Sequence, residues 1–117
     1  MIYTSYFGNW RKFPKDSRLV SVARGIPGNA DNIELCSFSC VQPTHRLLFD
    51  FKNDRIDTVE YTSIYSKQLH QLEVEDFVKE YENSILLCYE KTGDFCHRHL
   101  LTHYVNSKFK EQRVIEF

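Results

Sequence analysis

The chain has 117 residues, 42% of them hydrophobic, and a formal net charge of -1, which suits one closed core over residues 1–117 and leaves too little for a second. No run approaches the roughly 18 uninterrupted apolar residues of a membrane span, and Met1-Ile2-Tyr3-Thr4 lacks the charged and apolar regions of a signal peptide, so a cytoplasmic protein without a membrane partner is expected. The charge is uneven: residues 1–46 carry six Lys and Arg against three Asp and Glu, and residues 47–117 carry nine against thirteen. A polyanion gripped along many phosphates needs a broadly basic face, so nucleic acid as a partner is disfavoured beyond a local contact to a few phosphates.

Ile2 to Tyr6 alternates and is rich in β-formers, which predicts a first strand closed by Gly8 and Asn9. The stretch Phe7 to Ser17 is barely long enough for a crossover with a helix, so a mostly irregular connection is expected. Leu19 to Ala23 reads as a second strand, ended by Arg24-Gly25-Ile26-Pro27-Gly28. Residues 29–42 are ambiguous, with a short extended piece around Ile33 to Phe38. Thr44 caps a short helix through about Phe51. Asp57 with Glu60 forms a capping-box pattern, and Val59, Ile64, Leu69 and Leu72 are expected to supply the apolar side of the next helix. Val74, Phe77, Val78 and Tyr81 recur at helical spacing and predict a third helix.

Ser84 to Tyr89 is the strongest buried strand. Lys91-Thr92-Gly93-Asp94 then makes a turn, Asp94 is the expected N-cap, and Leu100, Leu101, Tyr104 and Val105 form the apolar stripe of a fourth helix. Arg113 to Phe117 closes the chain as a short strand. Strands separated by helical patterns predict an α/β fold, a small three-layer domain with a mainly parallel central sheet flanked by helices.

Chemically capable residues concentrate between 88 and 98. Strand alternation puts Leu86, Cys88 and Glu90 on one side and Ile85, Leu87 and Tyr89 on the other. The turn brings Cys96, His97 and Arg98 to the start of the following helix, where free backbone N–H groups and the positive end of the dipole favour an anion. That setting stabilises the thiolate of Cys96, lets His97 and Glu90 move protons, and lets Arg98 hold a phosphate or carboxylate in a fork. Ligands of an open parallel sheet bind beyond the carboxyl ends of its strands, so Arg24, Ser5 and Tyr6 are expected to approach as further ligand-binding residues. Taken singly, these residues also have structural explanations: Cys88 as a small buried hydrophobe, Arg98 paired with Glu90, and His97 on a helix surface.

The segments Leu86-Leu87-Cys88-Tyr89-Glu90-Lys91 and Phe95-Cys96-His97-Arg98-His99-Leu100-Leu101 together resemble the signature of the domain-of-unknown-function 488 family, a strand ending Cys-x-Glu and a helix opening Cys-His-Arg. Leu19 to Pro27, Pro43 to Tyr65 and Arg113 to Phe117 also resemble its early strand, helical middle and closing strand. The family often carries an aspartate two positions before the arginine of its second strand. Val22 stands there in this chain, so no role of that aspartate carries over. The resemblance implies a fold and a site without implying a substrate.

Four cysteines, Cys36, Cys40, Cys88 and Cys96, are too few and too irregular for a disulfide framework, although a bridge between Cys88 and Cys96 is open and would make a thiol switch. Zinc held by Cys36 and Cys40 with Cys88, Cys96 or His97 is disfavoured, because neither gap within these pairs is the tight knuckle of structural zinc sites. His99 and His103 share a helical face but lack a third ligand, so no metal and no cofactor are expected. Trp10, Arg11, Lys12, Phe13 and Lys15 interleave aromatic and basic side chains in a way that can stack a base beside its phosphate. The leading expectation is an enzyme acting on a phosphorylated small molecule or nucleotide, with Cys96, His97 and Glu90 catalytic. The alternatives are a nucleotide or nucleic-acid binding module that catalyses nothing, and a thiol-redox or metal-dependent regulator.

Overall fold

Ser84–Cys88, the continuous apolar run, has all five residues buried, as expected of a strand covered on both faces and paired on both edges. In the computed structural model, which describes all residues except 29 and 31, it is the central strand of a five-stranded sheet. The elements in chain order are β1 (Ile2–Tyr6), β2 (Arg18–Ser21), β3 (Ile33–Leu35), α1 (His45–Lys52), α2 (Thr58–Leu69), α3 (Val74–Tyr81), β4 (Ser84–Cys88), α4 (His97–Asn106) and β5 (Val114–Glu116). The sheet order is β3-β2-β4-β1-β5, and every pairing is parallel. Register sets Tyr6 beside Cys88, and both Ser5 and Ser21 beside Leu87.

One face of the sheet presents Ile2, Val20, Val22, Leu86, Cys88 and Val114 to the buried sides of the four α-helices. The other presents Leu19, Ile85 and Leu87, over which Phe7 and Phe13 pack. Phe7 belongs to a 3₁₀ helix, Phe7–Lys12, that occupies the short first connection. Helices, sheet and this 3₁₀ layer make a small three-layer α/β domain. No helix among the described residues is long and apolar enough to cross a membrane.

Several boundaries differ from the sequence expectation, each for a local reason. β2 stops at Ser21, not Ala23, because the Ser21 hydroxyl accepts from the Ala23 N–H at 3.3 Å and donates to the Gly25 carbonyl at 2.7 Å, bending the chain into a turn. The extended piece after it is confined to Ile33–Leu35. In α2 the expected apolar side holds only in part: Leu69 and, just past the helix, Leu72 are buried, but Val59 is 74% exposed and Ile64 46%, and Tyr61 and Tyr65 are buried in their place. A tyrosine enters a core when its hydroxyl finds a partner, and Tyr65 donates to the Val41 carbonyl at 2.6 Å. The caps at Thr44 and Asp57 form as expected, accepting from Leu47 and Glu60 N–H at 3.2 and 2.8 Å. The cap of α4 is Cys96, whereas Asp94 lies in the preceding turn.

Candidate active site

β4 ends at Cys88 on the helix-covered face, and residues 89–95 then form an exposed turn before α4. Gly93 has φ +97°, a left-handed conformation that a side chain resists. Cys96 follows with extended backbone, and its sulfur accepts from the Arg98 N–H at 3.5 Å, capping α4. The turn thereby folds the two cysteines together: the bridge left open by the sequence is present as a Cys88–Cys96 disulfide, with Cα atoms 7.9 Å apart, so both residues act as thiols only once it is reduced. Cys88 is fully buried and Cys96 is 3% exposed.

His97 is buried too, so it is not a surface residue of the helix. Its Nε2 lies 2.9 Å from the Val22 carbonyl. A carbonyl only accepts, so Nε2 carries the proton and Nδ1 is left with a free lone pair. That lone pair is 3.7 Å from the Cys96 sulfur. Burial first, with the neighbouring Arg98 cation, pushes the imidazole down to about 4 against the opposing pull of the Val22 carbonyl, so the ring is neutral at pH 7.

Arg98 has no solvent exposure. Its Nε and Nη2 meet the two carboxylate oxygens of Glu116 at 3.2 and 2.7 Å, a bidentate fork. Its Nη1 donates to the Cys88 sulfur at 2.9 Å and to the Glu90 carbonyl at 2.5 Å. Burial alone would raise Glu116, but Arg98 and the hydroxyls of Thr4 and Thr92, both at 2.6 Å, hold it down to about 2. The guanidinium expected to take a ligand's phosphate is thus engaged by the chain's own carboxylate.

The remaining expected residues divide. Glu90 supplies its backbone carbonyl to Arg98, while its side chain is exposed. It does not orient His97, because Nε2 is bonded to Val22 and Nδ1 faces Cys96. Ser5 is beside Leu87 on the opposite sheet face and accepts from Asn9 Nδ2 at 3.1 Å, so it does not approach the thiols. Tyr6 is half-buried and in register with Cys88 on the thiol side. Arg24 is exposed two residues beyond Val22 and donates to the Pro43 carbonyl at 3.4 Å.

Glu116, Thr4 and Thr92 were missed. Alternation in β5 carries a signal for the first: with Val114 inward, Glu116 is an acid on the inward side of a strand. Cys88, Cys96 and His97 place two sulfurs and a ring nitrogen within 4.8 Å of one another, a set able to ligate a metal. Cys36 and Cys40 are free cysteines outside that set.

The profile of the Active DUF488-N3 subclade matches residues 11–109, most of the chain. The chain belongs to the DUF488 family. The matched part of this DUF488 domain contains Cys88 to Arg98 and all four α-helices, whereas Glu116 lies beyond it. No curated protein and no solved structure matches the chain.

Proposed function

We propose that this DUF488 domain is a thiol-dependent enzyme that forms a covalent adduct on Cys96. The observation that carries the reading is the placement of the Cys96 sulfur at the start of α4, accepting a backbone N–H at 3.5 Å with the bare His97 Nδ1 at 3.7 Å. A helix N-terminus stabilises a thiolate and, after attack, the negative charge that develops on the substrate. Cys88, whose sulfur accepts from Arg98 Nη1, is the neighbouring sulfur. The substrate class that goes with this reading is a phosphorylated small molecule or nucleotide. Its anion would meet Arg24, since Arg98 is engaged internally.

Iodoacetamide tests the nucleophile. Cys36 is an internal control of matched burial, 4% exposed against 3%, and burial pushes its thiol up. In reduced, folded protein Cys96 should be alkylated before Cys36, as read by peptide mass. Equal or slower labelling of Cys96 would remove it as the nucleophile.

A binding module is the second reading, favoured by a groove of about 1100 Å³ on the opposite sheet face, lined among others by Trp10, Arg11, Phe13, Lys15, Leu19 and Ile33. The Arg11 guanidinium lies 5.2 Å from the centre of the Trp10 ring. Trp10 is the sole tryptophan and 61% exposed, so its fluorescence reports directly on a stacked base. Quenching by a nucleotide that is lost in Arg11→Ala and Lys15→Ala supports a nucleotide site. An unchanged spectrum through the titration rules it out.

A further inference from the structure

We infer that Cys88 Sγ, Cys96 Sγ and His97 Nδ1 form a site for a thiophilic divalent cation such as Zn²⁺, and that its occupancy closes the thiol site to substrate. The consequence for substrate rests on the reading of Cys96 as nucleophile, whereas the metal site stands on its own geometry. The three donor atoms lie within 4.8 Å of one another and belong to three buried residues. Two thiolates and one imidazole are a donor set that zinc accepts, with a fourth position left for water.

Four further features fit an ion. First, the Cys88 and Cys96 Cα atoms are 7.9 Å apart, beyond the roughly 4.4–6.8 Å usual for a disulfide, so a relaxed bridge would need the two backbones to approach. An ion about 2.3 Å from each sulfur needs no such approach. Second, the His97 ring is already oriented by its Nε2–H to the Val22 carbonyl, the outer contact that metal-bound histidines use to present the other nitrogen. Third, each sulfur accepts one N–H from Arg98, Cys88 from Nη1 and Cys96 from the backbone, which stabilises thiolates. Fourth, the charges cancel. Binding Zn²⁺ to two thiols releases two protons and leaves a neutral centre beside the Arg98–Glu116 pair, so no net charge is buried.

Reduced, chelator-treated full-length protein should bind one equivalent of Co²⁺ with the intense near-ultraviolet absorption of thiolate-to-metal charge transfer, and Zn²⁺ should displace it. Cys88→Ser and His97→Ala should each weaken Zn²⁺ binding by at least about 100-fold, the upper end of what outer-contact changes cost. Cys36→Ser and Cys40→Ser should leave it unchanged, with far-ultraviolet circular dichroism reporting the fold of every variant. Absence of Co²⁺ thiolate absorption, or binding that survives Cys88→Ser and His97→Ala, overturns the site. Zn²⁺ should also slow iodoacetamide labelling of Cys96 but not of Cys40. Slow labelling in the metal-free protein would instead count against the nucleophile, so the two ideas fail separately.

Discussion

Arg98 is a cation with no water contact, and its side chain is held by three different kinds of acceptor: a carboxylate, a sulfur and a carbonyl. Removing one partner of such a pair leaves an uncompensated buried charge, which costs more than the pair itself is worth. Glu116→Gln should therefore lower stability by about 2–3 kcal/mol, seen as a reduced urea midpoint at pH 7. The same carboxylate sets an acid limit. Its folded value, about 2, lies below the ordinary 4.5, so the unfolded chain binds the proton more readily between those values. Its contribution is complete above about pH 4.5 and is lost as pH falls toward 2. Urea midpoints measured across that window should converge for the wild type and Glu116→Gln. At this scale the sequence announced that Arg98 needs an anion. It could not say that the anion is internal, because Glu116 lies eighteen positions further on and only the pairing of β5 with β1 brings it alongside.

Helix starts show where local chemistry decides and where it does not. Asp57 accepts from the Glu60 N–H at 2.8 Å, so Asp57→Ala should cost about 1 kcal/mol in urea denaturation. Asp94 is the same residue type, but it lies three residues before α4, and Cys96 holds the capping position. Asp94→Ala should then shift stability by less than about 0.5 kcal/mol. A larger loss than for Asp57→Ala would mean that the cap has been misassigned. The rotation of α2 follows a different logic. Apolar spacing pointed to Val59, Ile64, Leu69 and Leu72, and the last two are buried, but the face that packs on α1 and α4 carries Tyr61 and Tyr65 instead of the first two, residues whose ring area outweighs two aliphatic side chains once the hydroxyl of Tyr65 is satisfied. α4 and β5 are joined by Asn106, whose Oδ1 accepts from the Arg113 and Val114 N–H groups while Nδ2 donates to the Val114 carbonyl. That clamp orients the strand that delivers Glu116.

Across the whole molecule the two sheet faces are covered unequally. Leu86 is sealed beneath the α-helices, whereas Leu87, equally buried, borders the groove beside the 3₁₀ helix. A cavity enclosed by packed helices collapses less readily than one beside an open groove. Leu86→Ala should accordingly cost about 4 kcal/mol and Leu87→Ala about 2 kcal/mol, read from urea unfolding curves. A reversed order would show that the groove side is the rigid one. The asymmetry also separates the two candidate sites, with the thiols on the helix-covered face and the aromatic and basic groove on the other.

Strand alternation, the central apolar run, the caps at Thr44 and Asp57 and the gathering of Cys88, Cys96, His97 and Arg98 around one turn were all determined by the sequence, because each depends on residues within about a dozen positions of one another. Ser5 and Tyr6 were both expected at the site, although alternation turns them to opposite sides of β1 and only Tyr6 shares the face of Cys88. What the tertiary structure alone decided is what those groups touch: Glu116 for Arg98, the Val22 carbonyl for His97, and the tyrosine face of α2 for the core. Those contacts join separate elements, and their geometry depends on the order and register of the strands, which no local pattern encodes.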